Sequence, residues 1–497
     1  MNRILCDLLS ASLIFSMCAC SGVPKPGGGG GGGTGNATLS LTLRATPPSP
    51  SANLCILSFR ATVTGVSMTP SSASAVSVGL VSGPTSSYVV ELTRLQSDSA
   101  LLSAAVAIPA GTYNSLGVTF SDVLLTYCTQ PSSGVAGCSS GSLTQVTGSA
   151  ATATASSGAF PLTVTSGEKL GLALDVNIAS AITASGQTIS AVNPAAAKVL
   201  TATVLQAPSS TNDLSSGQLA HIDDLYGVVS NASASSQNFT LQTAYRGAIS
   251  VTADSSTTYD PVCSAQSFSC VTSGALAAVD AILNADGTLT VRNYSPVPFT
   301  ATSNDTIEGV VIAPPSSLNQ VFNIAVTDAS FAVSDSLLSG SIHPGDLVSV
   351  GVVTPKPFFI VSEGLIIPAN SFSGSTDVSP IQPGQIVAIS VSGFVAANGS
   401  SAFGTATANG AALRFSRVTG TVVTPTSPQF TATNYPPYFG FTTNPLAQIT
   451  TTGPGTTTDF DGTSIFSEAA GDTVSISALY FGTTVTPAFS AATVRKH

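Results

Sequence analysis

Apolar residues alternate with Ser, Thr and other small residues at period two over most of the chain from Ala37 onward. ATLSLTLRA sets Leu39, Leu41 and Leu43 on one face and Thr or Ser on the other. FRATVTGVSM, SYVVELTRL, YNSLGVTFSDVLLTY, FPLTVTSG and KLGLALDVNI continue the pattern. Successive side chains of a strand point to opposite faces. Alternation punctuated by Gly, Pro and Ser therefore specifies half-buried antiparallel strands. Long helix-period runs are lacking, and the one short helix suggested lies around Leu92 to Ala104. The expected class is all-β, and 497 residues suffice for three or four domains.

Charge narrows the function classes. Only 8% of residues are charged, yet Leu, Ile, Val and Phe recur closely enough to build cores, unlike in a disordered chain. The 14 Lys and Arg residues are scattered and the net charge is −10, so nucleic acid is excluded as a partner.

Seven or more strands between residues 37 and 206 suggest a β-sandwich. Three segments here carry a resemblance: LSLTLRA, ELTRLQSDSALLSAAVAIPAGTYNSLGVTF and FPLTVTSGEKLGLALDVN. Their order resembles an uncharacterised bacterial domain family that follows lipoprotein signals. Pro109-Ala110-Gly111-Thr112-Tyr113 is the most specific piece, a tight turn from which Tyr113 starts the next strand. The resemblance implies no catalytic residues.

A polar linker (207–218) leads to a phrase that recurs three times: LYGVVSN, IEGVVIA and VTGTVVT. Phe239, Phe322 and Phe430 follow at similar distances, then TTYD, STD and TTDFD, then a glycine-led apolar strand. Arginine-bearing strands (TLTVRN, ALRFSRV, AATVRK) close the copies. Agreement in kind and order points to triplication. A lone Gly in a strand marks a bulge or bend, as a small closed barrel needs, and NADGT is a hairpin signal. The first copy, in GVV…FTLQ…TTYD…LNADGTLTV, resembles a second uncharacterised bacterial family of small OB-like barrels. The copies are assigned to 219–300, 301–411 (with an insertion) and 412–497.

The chain has eight cysteines. Cys128 with Cys138, and Cys263 with Cys270, bracket short Ser/Gly loops and read as disulfides of an oxidising compartment. Zinc is the rival reading, but CxxC spacing and a nearby His are lacking. Cys55 reads as a buried strand cysteine.

At the N-terminus, Arg3 precedes a stretch from Leu8 to Met17 too short to span a bilayer, which needs about 20 residues. It reads as a signal-peptide core (1–19). Met17-Cys18-Ala19-Cys20 resembles the lipobox of bacterial lipoproteins. That resemblance implies lipidation at Cys20 after cleavage, with plain secretory cleavage or lipidation at Cys18 as alternatives. Residues 20–36, with seven successive glycines, then form a flexible tether, its sixteen residues beyond Cys20 spanning about 20–24 Å. Ser21 implies outer-membrane sorting by the same resemblance.

Catalytic motifs are weak. GCSSG (137–141) fits G-x-S-x-G with Ser139, but lies in a serine-rich loop rather than a strand-to-helix elbow. His221 precedes Asp223 and Asp224, which suggests a triad fragment, metal ligands or a solvated strand start. His343 before Pro344-Gly345-Asp346 reads as a turn residue. Asp459-Phe460-Asp461-Gly462 starts like a calcium loop, but position twelve is Ala470, leaving only an irregular site near Glu468. Tyr435, Tyr438 and Phe439 are the best candidates for an exposed ligand-binding aromatic row, against a Pro-rich hairpin packed on the third barrel.

The sequence thus predicts a β-sandwich followed by three tandem OB-like barrels, anchored to the membrane through an N-terminal lipid at the bacterial cell envelope. The expected role is non-catalytic: structural, adhesive, or binding an envelope glycan or surface protein. No cofactor and no metal are expected. The competing expectations are a carbohydrate-binding module and an envelope hydrolase with carboxylates in a barrel cleft.

Overall fold

The computed structural model describes residues 35–497, apart from 83–86, 130–135, 206–216, 300–303, 334–335, 353–356, 399–401, 442–445, 452–457, 462–467 and 483–485. The signal segment, Cys18, Cys20, nearly all of the tether and most of the linker lie outside the described residues. The described chain is all-β, and three of its sheets close into five-stranded barrels. No described helix is long and apolar enough to cross a membrane.

The N-terminal region has two principal sheets. In the first, strand Asn36–Thr46 runs parallel to Lys169–Asn177 and antiparallel to Ala100–Pro109, while Leu200–Leu205 adds to the outer side. In the second, Ile56–Pro70 pairs with the long strand Gly111–Cys128. Leu39, Leu41 and Leu43 of the first sheet share one core with Phe59, Val63, Phe120 and Leu125 of the second. Tyr113 locks the Pro109–Gly111 corner: its hydroxyl donates to the Pro109 carbonyl at 2.7 Å.

Two expectations change here. Strand Asn36–Thr46 is not half-buried, because Ser40 and Thr42 are also covered. The stretch Leu92 to Ala104 is not a helix. It holds one 3-10 turn, Arg94–Gln96, and then enters strand Ala100–Pro109, whose pairing to the first strand outweighs its local helix propensity.

The first barrel is built from Gln218–Ser233, Asn238–Thr243, Gly247–Thr252, Leu276–Asn284 and Leu289–Pro296. The second uses Asp305–Val311, Val321–Ser330, Leu347–Val352, Ile386–Val395 and Gly404–Arg414. The third uses Ser416–Thr426, Gln429–Thr433, Ala447–Thr450, Thr473–Tyr480 and Ala488–Lys496. The neighbour order is the same in all three: third, second, first, fourth, fifth. Each closes by a parallel contact of the third strand with the fifth, as at Thr252↔Thr290, Val350↔Ala406 and Ile449↔Phe489.

Gly227, Gly309 and Gly420 sit where the first strand presses on the second. A Cβ there would meet the carbonyl oxygen of Gln242 at 2.6 Å, Ala325 at 2.6 Å and Thr433 at 3.0 Å. The NADGT hairpin forms as its chemistry requires, with Asn284 N–H on Thr288 O and Gly287 at φ +84°.

The barrels also correct the sequence alignment. TTYD and TTDFD each supply a short strand (Thr258–Tyr259, Asp459–Asp461) that runs parallel to the last strand of its barrel. STD does not. Phe359–Ile360 takes that place in the second barrel, because the insertion displaces the phrase. The second barrel extends to Arg414 rather than 411, with only Phe415 before the third begins.

Candidate functional site

Several of the buried charged residues converge on one place. The 3-10 turn Arg94–Gln96 and the following Ser97, Asp98 and Ser99 form a buried loop of the N-terminal region. Arg94 Nη1 donates to Asp328 Oδ2 of the second barrel at 2.5 Å. Arg246, from a turn of the first barrel, donates to the same oxygen at 2.8 Å. Asp98 Oδ2 accepts from Arg417 of the third barrel at 2.7 and 3.0 Å. Arg495 of that barrel donates to the carbonyls of Leu95 and Asp98, at 2.9 and 2.7 Å. One six-residue loop thus ties to the second and third barrels directly, and to the first through Asp328.

Beside this loop lies Arg414, fully buried. Its Nε donates to Glu308 Oε2 at 3.1 Å and its Nη1 to Glu363 Oε1 at 3.3 Å. Its guanidinium carbon stands 5.3 Å from the centre of the Tyr226 ring, so the first barrel contributes an aromatic face to the second barrel's cation. Burial of unpaired ions is prohibitive, and the Arg–carboxylate pairs are what make this centre tolerable.

The repeat explains part of the placement. Tyr226, Glu308 and Thr419 each precede the recurrent glycine. The pairs Tyr259↔Tyr294, Ile360↔Leu413 and Phe460↔Val494 align the last strands. Ser295, Arg414 and Arg495 are then equivalent, and Arg292 falls three residues earlier. The recurrent arginines of the sequence are therefore two of one kind and one of another.

Arg292 serves a different joint. It donates to Asp459 Oδ2 of the third barrel at 2.7 Å, and His221 Nδ1 contacts the same oxygen. Ligand atoms of His221, Asp223 and Asp459 lie within 4.8 Å of one another. By residue type they fit a divalent cation such as zinc. The Arg292 guanidinium already neutralises Asp459, and the arrangement acts as an ion pair joining two barrels. Two motifs that looked unrelated, His221 with Asp223 and the DFDG segment, meet here. The side chains of Asp224 and Asp461 lie outside the described residues.

The aromatic candidates do not form an exposed row. Tyr435, Tyr438 and Phe439 are 8%, 5% and 1% exposed. Phe439 packs between Tyr438 and Phe441, at 4.9 and 5.1 Å between ring centres, and meets Tyr480 edge-on. The reason is the neighbouring loop of the N-terminal region. Gly137 N–H donates to Tyr438 O at 2.8 Å, and Cys138 N–H to Ile312 O. Cys128 and Cys138 stand at disulfide distance within that loop, as do Cys263 and Cys270 in the first barrel.

A cleft lies between the N-terminal region and the second and third barrels. Pro48 and Pro50 form one wall, Tyr435 and Pro437 another, and Arg94 and Arg417 line it as well. Ser139, absent from the lining of this cleft, is itself exposed beside the buried Cys138. His343 stacks on Tyr245, and its N–H donates to Asp346 in the expected turn.

Glu91, near the central loop, differs from the carboxylates of the network in its partners. It accepts from the backbone N–H groups of Phe59 and Thr93, the Thr93 hydroxyl at 2.7 Å and the Ser58 hydroxyl. Burial still pushes its carboxyl above the ordinary carboxylate range, the hydrogen bonds opposing. The folded state therefore holds this proton more tightly than the unfolded chain. That stabilisation is full below the unfolded value and is lost as pH rises through the raised one. Glu91→Gln carries no charge at any pH. Its melting temperature should gain on wild type as pH rises above about 4, and parallel melts at rising pH check this.

Sequence reasoning missed the central network. Its signal was present: Glu308 and Arg414 are charges inside otherwise apolar strand phrases, IEGVV and ALRF. No protein-family model matches the chain, and no curated protein is significantly similar to it.

Proposed function

We propose that the chain is a cell-envelope lipoprotein, tethered through Cys20, whose folded body is a non-catalytic unit for display or for binding a surface partner. The body is read as a β-sandwich followed by three OB-like barrels that arose by triplication. Two sheets around one core support the first part. The shared strand order, with its parallel third-to-fifth closure, supports the second.

The central ionic network carries the functional reading. Asp98, Glu308, Asp328 and Glu363 are buried against arginines, so these clustered carboxylates hold domains together rather than face a substrate. An envelope hydrolase would instead place carboxyl groups in the open cleft. That cleft is walled by Pro48, Pro50, Tyr435 and Pro437, and its arginines are already paired with Asp98 and Asp328, which suits an uncharged peptide or glycan segment. The outer-membrane address rests on Ser21, the residue that follows the lipobox-like segment.

The test is fractionation with mass measurement of the mature N-terminal peptide. Wild type should carry a diacylglyceryl group on Cys20 and sediment with membranes, and Cys20→Ala should lose both properties. An unmodified, soluble wild type would overturn the anchor. Turnover of an ester or glycoside by the purified body would overturn the non-catalytic half.

A further inference from the structure

Three sulfur atoms converge where the N-terminal region meets the second and third barrels. Cys55 immediately precedes strand Ile56–Pro70, and Cys128 ends its partner strand, with Cys128 N–H donating to Cys55 O at 3.0 Å. The two side chains are therefore neighbours across the ladder. Cys138 arrives from the loop that is held by Ile312 and Tyr438. Its sulfur is at bonding distance from Cys128 and only 3.9 Å from the Cys55 sulfur. All three residues are buried.

The geometry points to an exchanging disulfide, in which Cys138 is bridged by Cys128 or by Cys55 and the two forms interconvert without any outside oxidant. In the forward step the Cys55 thiol first gives its proton to solvent base. Its thiolate attacks Cys138 Sγ, forming the Cys55–Cys138 bond. The Cys128–Cys138 bond breaks, and its electron pair stays on Cys128, which takes a proton from solvent. One S–S bond is lost and one is formed, so oxidation state is conserved. Either bridge keeps the loop fastened to the same pair of strands. The loop's bonds to Ile312 and Tyr438 are therefore compatible with either bridge.

Burial pushes the Cys55 thiol up to about 12, so the reactive thiolate is scarce at neutral pH. Exchange is accordingly slow there and should quicken about tenfold per pH unit below that value.

The test uses the full chain. Wild type is held at about pH 9 for a day, quenched in acid, unfolded and alkylated. Label should appear on Cys128 as well as Cys55, and faster than at about pH 8. Label confined to Cys55 would overturn the exchange. In Cys128→Ser treated with oxidised glutathione, which takes up the two electrons, a Cys55–Cys138 linked peptide should replace the original bridge, whereas two free or separately glutathionylated thiols in the folded variant would overturn the proposal. Should that variant not fold, wild type is reduced and reoxidised with timed sampling. Cys55–Cys138 peptides should appear during oxidation, and their absence at every time would count against the idea equally.

Discussion

Arg414→Ala should destabilise the folded protein by about 3–5 kcal/mol. The side chain is fully buried, and Glu308 beside it is equally so. Removing the guanidinium leaves the carboxylates of Glu308 and Glu363 facing a low-dielectric interior with their hydrogen bonds at 3.1 and 3.3 Å gone. Glu308 Oε1 already has no hydrogen-bond partner, and Arg94 stands 3.9 Å from it. At Glu308 the loss is therefore not shared with a donor on the other oxygen. The Tyr226 ring also loses the cation above it, which weakens the seam between the first and second barrels. Urea unfolding against wild type measures the effect. Replacing all three partners, as in Arg414→Met with Glu308→Leu and Glu363→Gln, should recover much of it, because the burial penalty leaves with the charges. A single variant as stable as wild type would mean that the centre does not hold the domains.

Phe439→Ala should cost a similar amount, about 3–5 kcal/mol, for an apolar reason. The ring is 1% exposed and stacks in a cluster with Tyr438, Phe441, Tyr480 and Phe489. Its ring would also collide with any Cβ built on Gly384 of the second barrel, the nearest approach being 2.2 Å. The ring thus fills a seam between two barrels as well as a core, and the cavity left by its removal cannot collapse from one side alone. The backbone of Tyr438 holds the loop of Cys138. The variant should therefore also expose that loop to proteases earlier than wild type. Thermal melting with timed proteolysis reads both effects. A near-neutral result would restore these residues as surface aromatics available to a ligand.

The two substitutions probe joints of opposite chemistry, and they differ in how legible they were. Phe439 lies in the YPPYFG segment, which could be read either as an exposed aromatic row or as a packed hairpin. Sequence alone does not choose, because the covering loop comes from a segment about 300 residues earlier. Its approach depends on Gly440, where a Cβ would overlap Ala136. The arginine of ALRF was visible as part of a repeat, but its carboxylate partners lie 51 and 106 residues away. A pairing at that separation has no local signal.

Local pattern determined the strand content, the glycine-led barrels, the NADGT hairpin and the two short cysteine loops. Each depends on side-chain alternation or turn chemistry within about ten residues, where the chain's own stereochemistry decides. Tertiary structure alone decided that the polar face of the first strand is buried, that Leu92 to Ala104 becomes turn and strand, and that FFI rather than STD pairs in the second barrel. It also decided that His221 and Asp459 meet across 238 residues, and that a third sulfur stands beside the Cys128–Cys138 pair. These outcomes depend on which surfaces pack together once strands exist. Desolvation then selects contacts by the burial of whole faces and the pairing of distant charges, information that no short stretch of sequence contains.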